Sequence, residues 1–126
     1  MKDFLVVDDD QIAVMLAEKT IEIMGVGGEI HRASNGQAAL KLIDQMVIHS
    51  RSLPEIILLD LNMPVLNGFR FIEAFNSLDF PGKDTMRIVV VSSSEDPLDI
   101  SRVKNSGIDF YLTKPIVPDE LLKAIS

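Results

Sequence analysis

The sequence predicts an α/β domain in which a doubly wound, five-stranded parallel sheet carries helices on both faces. Short apolar runs alternate with segments of helical period along the whole chain, an alternation typical of the β-α units that build parallel sheets. The apolar runs are nearly continuous and rich in β-branched residues, as expected for strands buried on both faces. A length of 126 residues predicts a single domain over 1–126, with a sizeable core.

The first β-α unit follows from a change of period. FLVV at 4–7 is a continuous apolar run and predicts a buried strand. The helix predicted over 11–24 has apolar residues at helical spacing, namely Ile12, Met15, Leu16 and Ile23. The glycine-rich GVGG at 25–28 ends this helix.

The second and third units are marked by caps and turn residues. A short strand is predicted over 29–33, and Ser34-Asn35-Gly36 supplies an N-cap for a helix over 37–46. The third strand, 55–60, is strongly apolar. Proline and an Asn-Gly pair then predict a loop before the helix over 68–78.

The last two units complete the pattern. The fourth strand is predicted over 86–92, and the fourth helix over 97–105, with Pro97 in its first turn. The fifth strand is predicted over 108–112 and a short fifth helix over 118–125. Five β-α units therefore account for nearly the whole chain.

Composition excludes several classes of function. A net charge of −7 disfavours direct nucleic-acid binding, which depends on basic residues that neutralise phosphates. The chain has no cysteine, which excludes disulfides, thiolate metal sites and a cysteine nucleophile. The N-terminal apolar run is too short for a signal peptide, and no segment is long enough to span a membrane. We therefore expect a cytoplasmic protein.

Polar side chains gather where the predicted strands end, which is the edge where doubly wound sheets bind ligands. They are Asp8, Asp9 and Asp10 after the first strand, Asp60 at the end of the third, Ser92 at the end of the fourth, and Tyr111 and Lys114 in and after the fifth. Several carboxylates need a counter-charge, and a hard cation such as Mg²⁺ prefers oxygen ligands. With a lysine and a hydroxyl beside them, these groups suit a phosphoryl group that forms on a carboxylate nucleophile.

Four motifs carry a resemblance to a known family. They are VVDD at 6–9, LLDLNMPVLNG at 58–68, VVVSSS at 89–94 and FYLTKP at 110–115. These motifs are distributed along nearly the whole chain. They occur in the order found in that family and lie on the predicted elements. The sequence resembles the receiver domain of two-component response regulators, the CheY-like family, which implies the strand order 2-1-3-4-5.

The resemblance implies a phosphoacceptor and a metal site. Asp60 would accept the phosphoryl group. A Mg²⁺ ion, or Mn²⁺ in its place, would be held by Asp8, Asp9, Asp60 and the backbone carbonyl of Asn62. Asp10 is expected instead to cap the helix that follows it.

The resemblance also implies how phosphorylation is sensed. Lys114 would pair with the phosphoryl group, and Ser92 would donate a hydrogen bond to it. Tyr111 would be the switch residue whose ring turns inward as Ser92 moves. The peptide bond between Lys114 and Pro115 would be cis.

The function implied is two-component phosphorelay signalling. A sensor histidine kinase or a histidine phosphotransfer protein would donate the phosphate. A downstream protein would dock on the face formed by the fourth helix, fifth strand and fifth helix. The domain would be a monomer or a weak homodimer that binds neither nucleic acid nor membrane. It would be no enzyme, beyond catalysing its own phosphorylation and dephosphorylation.

Two alternatives remain open at this point. Asp8-x-Asp10 after an apolar strand also matches the haloacid-dehalogenase phosphatases, with Asp8 as nucleophile and Asp10 as general acid. The domain could otherwise be a degenerate receiver that acts only as a docking module.

Overall fold

The structure, a computed structural model, describes residues 2–63 and 65–126. The strands are β1 (Lys2–Val7), β2 (Gly27–Ala33), β3 (Ile56–Leu59), β4 (Arg87–Ser92) and β5 (Phe110–Thr113). The helices are α1 (Gln11–Met24), α2 (Gly36–Ile48), α3 (Gly68–Ser77), α4 (Pro97–Asn105) and α5 (Pro118–Ile125). Met1, and Pro64 of the predicted loop after β3, lie outside the described residues.

All strands are parallel and form one sheet in the order β2-β1-β3-β4-β5. The predicted fold class and strand order are therefore confirmed. In this order β1 lies between β2 and β3, and Val7 is the partner of Leu59. The residues that follow β1 and β3 therefore emerge side by side at one edge of the sheet.

The element boundaries differ from the predicted ones by at most two residues at either end, and β5 is shifted at both ends. Backbone pairing with β4 runs from Phe110 to Thr113, so the predicted strand over 108–112 starts too early. Ile108 is buried in the core without belonging to the strand, which explains why its hydrophobicity was misleading. A short 3₁₀-helix, Lys83–Thr85, also forms within the stretch that precedes β4.

Two apolar clusters cover the two faces of the sheet. Leu5 and Val7 pack into one cluster, while Phe4 and Val6 pack into the other. Successive side chains of a strand point to opposite faces, so both faces of β1 are covered. This double burial is the reason for the continuous apolar runs in the sequence.

The buried face of α1 differs from the one that the sequence suggested. The helix buries Val14, Ala17 and Ile21 against the sheet. The four residues read as its apolar face are 58–74% exposed, namely Ile12, Met15, Leu16 and Ile23. The helix therefore has two apolar stripes. The stripe that packs on the sheet contains Ala17, whose small side chain permits a close approach.

In the part of the chain that the structure describes, no helix has both the length and the apolarity to cross a membrane.

Gly68 fixes the start of α3 against the end of β3. Its N–H donates to the carbonyl oxygen of Leu61 at 2.9 Å. A Cβ atom at this position would lie 2.5 Å from the backbone oxygen of Asp60 and 2.6 Å from Cα of Leu61. These contacts are with backbone atoms, so a side chain here would displace the residue that follows β3.

We expect Gly68→Ala to lower the free energy of unfolding by about 2 kcal/mol, because overpacking against backbone outweighs alanine's gain in helix propensity. Urea denaturation measures the change. Gln37→Ala, in the exposed first turn of α2, is the matched control and should be nearly neutral. A stabilised Gly68→Ala variant would contradict the steric argument.

Candidate functional site

Two buried acids and one exposed acid meet at the carboxyl ends of β1 and β3. Asp8 follows β1, Asp60 follows β3, and the two residues are only 8% and 6% exposed. Asp9, next to Asp8, is exposed. Each of the three offers a carboxylate oxygen within 4.8 Å of the others. Sequence position had suggested this convergence, and the structure brings the three together.

Backbone hydrogen bonds extend the sheet into the site. The N–H of Asp8 donates to the carbonyl oxygen of Ala33 at 3.1 Å, and that of Asp60 donates to Val7 at 3.0 Å. Both carboxylates therefore start from fixed backbone positions. The backbones of the two acids cannot move apart without breaking these hydrogen bonds.

Lys114 supplies positive charge from the segment after β5. Its Nζ atom lies 2.7 Å from Oδ2 of Asp8 and 3.7 Å from Oδ1 of Asp60. Burial acts to lower the pKa of Lys114, but the hydrogen bond that Lys114 donates to Asp8 and the charges of Asp60 and Asp8 outweigh it, so the pKa is raised. Lys114 is therefore a fixed cation whose closest partner is Asp8.

Asp60 is the acid with the most perturbed protonation. Burial, followed by the charge of Asp8, raises its pKa to about 6, against the opposing effects of Lys114 and the Asn62 N–H. That N–H lies 3.4 Å from Oδ1 of Asp60. One lysine thus compensates only part of the negative charge, which leaves the site able to accept another cation.

The ligand set fits a hard divalent metal. All three candidate donors are carboxylate oxygens, which are the ligands that Mg²⁺ and Mn²⁺ prefer over nitrogen or sulfur. Asn62 lies two residues beyond Asp60, close enough for its backbone to interact with that carboxylate.

Asp10 caps α1, as predicted. Its side chain accepts a hydrogen bond from the N–H of Ile12 at 2.9 Å, and its own N–H donates to Asp8 Oδ1 at 2.9 Å. A carboxylate committed to a helix cap is poorly placed to act as a general acid. This geometry weighs against the phosphatase alternative.

Ser92 ends β4 and is fully buried. Its carbonyl oxygen accepts from the N–H of Lys114 at 2.9 Å, and its Oγ accepts from the N–H of Ser94 at 3.1 Å. The backbone bond links the ends of β4 and β5. The peptide bond from Lys114 to Pro115 is cis, as predicted.

Ser94 connects the β4–α4 loop to both neighbouring elements. Its carbonyl oxygen accepts from the Tyr111 hydroxyl at 2.8 Å, and its Oγ donates to Asp99 of α4 at 2.7 Å. The N-cap of α4 is Asp96, whose side chain accepts a hydrogen bond from the N–H of Leu98.

Asp99 is the site-linked residue that the sequence did not reveal. It looked like an ordinary acid in the first turn of a helix, where acids are common. The only signal in the sequence was that Asp99 lies five residues after Ser94, a spacing that allows the two side chains to meet at the start of α4.

The chain resembles known proteins over nearly its full length. The profile of the response regulator receiver domain matches residues 4–126. The nitrate/nitrite response regulator protein NarL of Escherichia coli is 35% identical over 96 residues, which is 76% of this chain and 40% of NarL. The chain thus spans less than half the length of that relative.

Solved structures agree with this similarity. A two component response regulator from Cytophaga hutchinsonii is 30% identical, with a TM-score of 0.88, over 97% of this chain and 92% of that one. The Mn²⁺-bound form of response regulator Rcp1 is 23% identical, with a TM-score of 0.78, over 99% and 90% of the two chains. At that identity, the likeness to Rcp1 shows the fold alone.

The raised pKa of Asp60 predicts a pH dependence of stability in metal-free buffer. Because the pKa rises from 3.8 to about 6 on folding, the folded state binds the proton more tightly. The contribution of Asp60 to stability is therefore greatest below about pH 4 and is lost as the pH rises through about 6. Asp60→Asn should remove this loss and raise the free energy of unfolding near pH 8 by about 1 to 2 kcal/mol, after a discount for solvent screening.

Urea denaturation with a chelator present, at acidic and at mildly alkaline pH, measures this difference. Asp79→Asn removes an exposed acid and serves as the control, with little change at either pH. An Asp60→Asn variant that is equally stabilised at both pH values would refute the titration.

The bond from Ser94 to Asp99 can be followed through the tyrosine. The chain has one tyrosine and no tryptophan, so its fluorescence reports on Tyr111. We expect Asp99→Ala to cost about 1 kcal/mol of stability and to increase quenching of this fluorescence by acrylamide, because the loop carrying the Tyr111 acceptor loosens. Glu95→Ala, an exposed acid in the same loop, should leave quenching unchanged. Equal quenching in both variants would contradict the role of Asp99.

Proposed function

The chain belongs to the response regulator receiver domain family, and from this premise we propose that it accepts a phosphoryl group on Asp60 in a two-component phosphorelay. Membership implies phosphorelay signalling, and receivers are phosphoacceptor signalling domains rather than enzymes in the usual sense. The choice of Asp60 as the acceptor is supported by the position of its carboxylate. Asp60 is a buried carboxylate whose Oδ1 lies 3.7 Å from Lys114 Nζ, and it has carboxylate oxygens of Asp8 and Asp9 within 4.8 Å.

The proposed reaction is a displacement at phosphorus. A carboxylate oxygen of Asp60 attacks, a new P–O bond forms, and the bond to the donor breaks with its electrons leaving on the donor. Lys114 would stabilise the transferred oxygens as a point charge. Because Lys114 contacts Asp8 most closely, Asp8 would also hold the lysine in position.

Receiver domains bind a divalent metal at an acidic pocket, and we propose Mg²⁺ for this one, with Mn²⁺ able to replace it. Asp8, Asp9, Asp60 and the backbone carbonyl of Asn62 would hold the ion. When bound, it would supply positive charge to the phosphoryl oxygens. The donor chemistry at Asp8, Asp9 and Asp60 supports this assignment.

Ser92 and Tyr111 would transmit the change. A phosphoryl group on Asp60 would attract a hydrogen bond from the Ser92 hydroxyl. Movement of Ser92 would shift the loop through its bond to the N–H of Ser94, whose carbonyl holds Tyr111. The phosphoryl state would thereby bias one conformation of the β4–α4 loop.

The output would be docking of a downstream protein on the face of α4, β5 and α5. Leu98 and Leu122 are 78% and 47% exposed on these helices, and exposed apolar residues suit protein contacts. The phosphodonor would be a histidine kinase or a histidine phosphotransfer protein. We propose one cytoplasmic receiver domain over residues 1–126, monomeric or weakly dimeric, without direct binding to nucleic acid.

Incubation with Mg²⁺ and acetyl phosphate, followed by peptide mass spectrometry, tests the proposal. One phosphoryl group should appear on Asp60 and be absent in Asp60→Asn. Asp8→Asn keeps the acceptor and should react more slowly. Asp10→Ala removes only the cap of α1 and should react nearly as fast as the parent. Phosphorylation that survives Asp60→Asn but is lost in Asp8→Asn would overturn the assignment.

A domain that only docks would behave differently with a phosphoryl mimic. Beryllofluoride with Mg²⁺ should bind the parent and change its tyrosine fluorescence, while Asp60→Asn should not respond. Absence of any response in the parent would favour the docking-only alternative.

A further inference from the structure

The chain contains two Asn-Gly pairs, and each stands at the start of a helix. Asn35 caps α2 and Asn67 caps α3, with Gly36 and Gly68 as the first residues of these helices. In such a pair the glycine nitrogen can attack the side-chain carbonyl carbon of the asparagine, because glycine has no side chain to hinder the approach. Both pairs are therefore candidate sites of spontaneous deamidation.

Each asparagine side chain is restrained by the helix that it caps. Oδ1 of Asn35 accepts a hydrogen bond from the N–H of Ala38 at 2.8 Å, and Oδ1 of Asn67 accepts one from the N–H of Arg70 at 3.0 Å. These bonds satisfy N–H groups that the first turn of a helix leaves free. The amide group of each asparagine is therefore held in place, and its reaction requires that the cap loosens.

The two glycine nitrogens are held by partners of different kinds. The Gly68 N–H donates to the carbonyl oxygen of Leu61 at 2.9 Å, within the stretch that leads into its own helix. The Gly36 N–H donates to the carbonyl oxygen of Leu66 at 3.0 Å, which belongs to the connection between β3 and α3. The nucleophile of the first pair is thus controlled by a residue that is distant in the sequence.

Leu66 also packs directly on Gly36. A Cβ atom on Gly36 would lie 2.6 Å from the backbone oxygen of Leu66 and 3.1 Å from both Cβ and Cδ2 of its side chain. Leu66 packs in turn against the apolar cluster that includes Ala39 of α2 and Phe71 of α3. Attack on Asn35 requires that the Gly36 nitrogen loses its proton and turns toward the asparagine, and both steps require release of the contact with Leu66.

We propose that Asn35-Gly36 is a deamidation site that the contact with Leu66 keeps closed in the folded protein. In the reaction the Gly36 nitrogen forms a bond to Cγ of Asn35, and the side-chain amide leaves as ammonia with the proton that Gly36 loses. Water then opens the cyclic imide to aspartate or isoaspartate. The reaction proceeds when Leu66 moves away from the start of α2, so its rate reports how often this contact opens.

The two products differ in their effect on α2. Aspartate at position 35 keeps a side-chain oxygen for the N–H of Ala38 and suits the positive end of the helix dipole. Isoaspartate adds a methylene group to the main chain just before Gly36, where the contact with Leu66 leaves no space for another carbon. The isoaspartate product therefore loosens the start of α2, whereas the aspartate product preserves it.

The test compares deamidation of the folded and the unfolded chain. The full chain is incubated in mildly alkaline buffer, with and without denaturing urea, and peptide mass spectrometry follows the modification of Asn35. Because local opening must precede the reaction, we expect Asn35 to react at least about tenfold more slowly in buffer than in urea. Asn35→Ser keeps a helix cap without the amide, and the mass change should be absent from its peptide.

Variants of Leu66 assign the protection to its contact with Gly36. Leu66→Ala shortens the side chain that packs on Gly36 and leaves the Asn35-Gly36 pair itself unchanged. It should raise the rate at Asn35 in buffer about fivefold and leave the rate in urea unaltered. Leu42→Ala is the matched control, because Leu42 is another half-buried leucine that packs against the same cluster from α2, and it should keep the parent rate.

The outcomes decide between a specific contact and general stability. Circular dichroism establishes that each variant is folded during the incubation, and Leu66→Val, a smaller truncation, gives the same comparison if Leu66→Ala does not fold. A faster reaction in the Leu66 variants alone supports the proposal. Equal rates of the parent in buffer and in urea would overturn it, as would a rate at Asn35 that is unchanged in the Leu66 variants or rises equally in Leu42→Ala.

Discussion

Repulsion among Asp8, Asp9 and Asp60 is the constraint on which the arrangement of this site depends. Their oxygens lie within 4.8 Å of one another, and hydrogen bonds to Ala33 and Val7 fix the backbone of the two buried acids. Like charges so close need compensation from a proton, a lysine or a metal ion. Lys114 provides one positive charge, yet burial, followed by the charge of Asp8, still raises the pKa of Asp60. The site is therefore suited to bind a further positive charge.

The same edge of the sheet links this electrostatic site to more distant surfaces. Ser92 contacts Ser94, and Ser94 contacts both Tyr111 and Asp99 through different atoms. A small shift at Ser92 therefore changes the surroundings of a β5 side chain and of α4 together. Hydrogen bonds are directional, so such a loop favours a few discrete arrangements. The two-state switch proposed above would depend on Ser94, which makes one hydrogen bond to Asp99 and another to Tyr111.

Most of the fold was predictable because the strands of a parallel sheet have a recognisable sequence pattern. Strands buried on both faces need continuous apolar runs, and the order of polar residues after Val7 and Leu59 located the site. The sequence did not show which apolar stripe of α1 would be exposed. Helical periodicity identifies apolar faces, but it does not show which of two such faces packs against the sheet. Packing chose the stripe with Ala17, which permits close approach to the sheet. Asp99 was hidden for a related reason, because a local motif cannot show a contact with a neighbouring loop.

The bond between Lys114 and Asp8 joins residues 106 positions apart in the chain. During synthesis from the N-terminus, the acids of β1 and β3 exist long before the lysine that compensates them. The acidic cluster is therefore completed only when the fifth strand docks, late in the assembly of a fold built on such long-range pairings. A nascent or truncated chain that lacks this strand has the Asp60 carboxylate without the Lys114 cation. Under the function proposed above, competence to accept a phosphoryl group would therefore depend on the docked fifth strand.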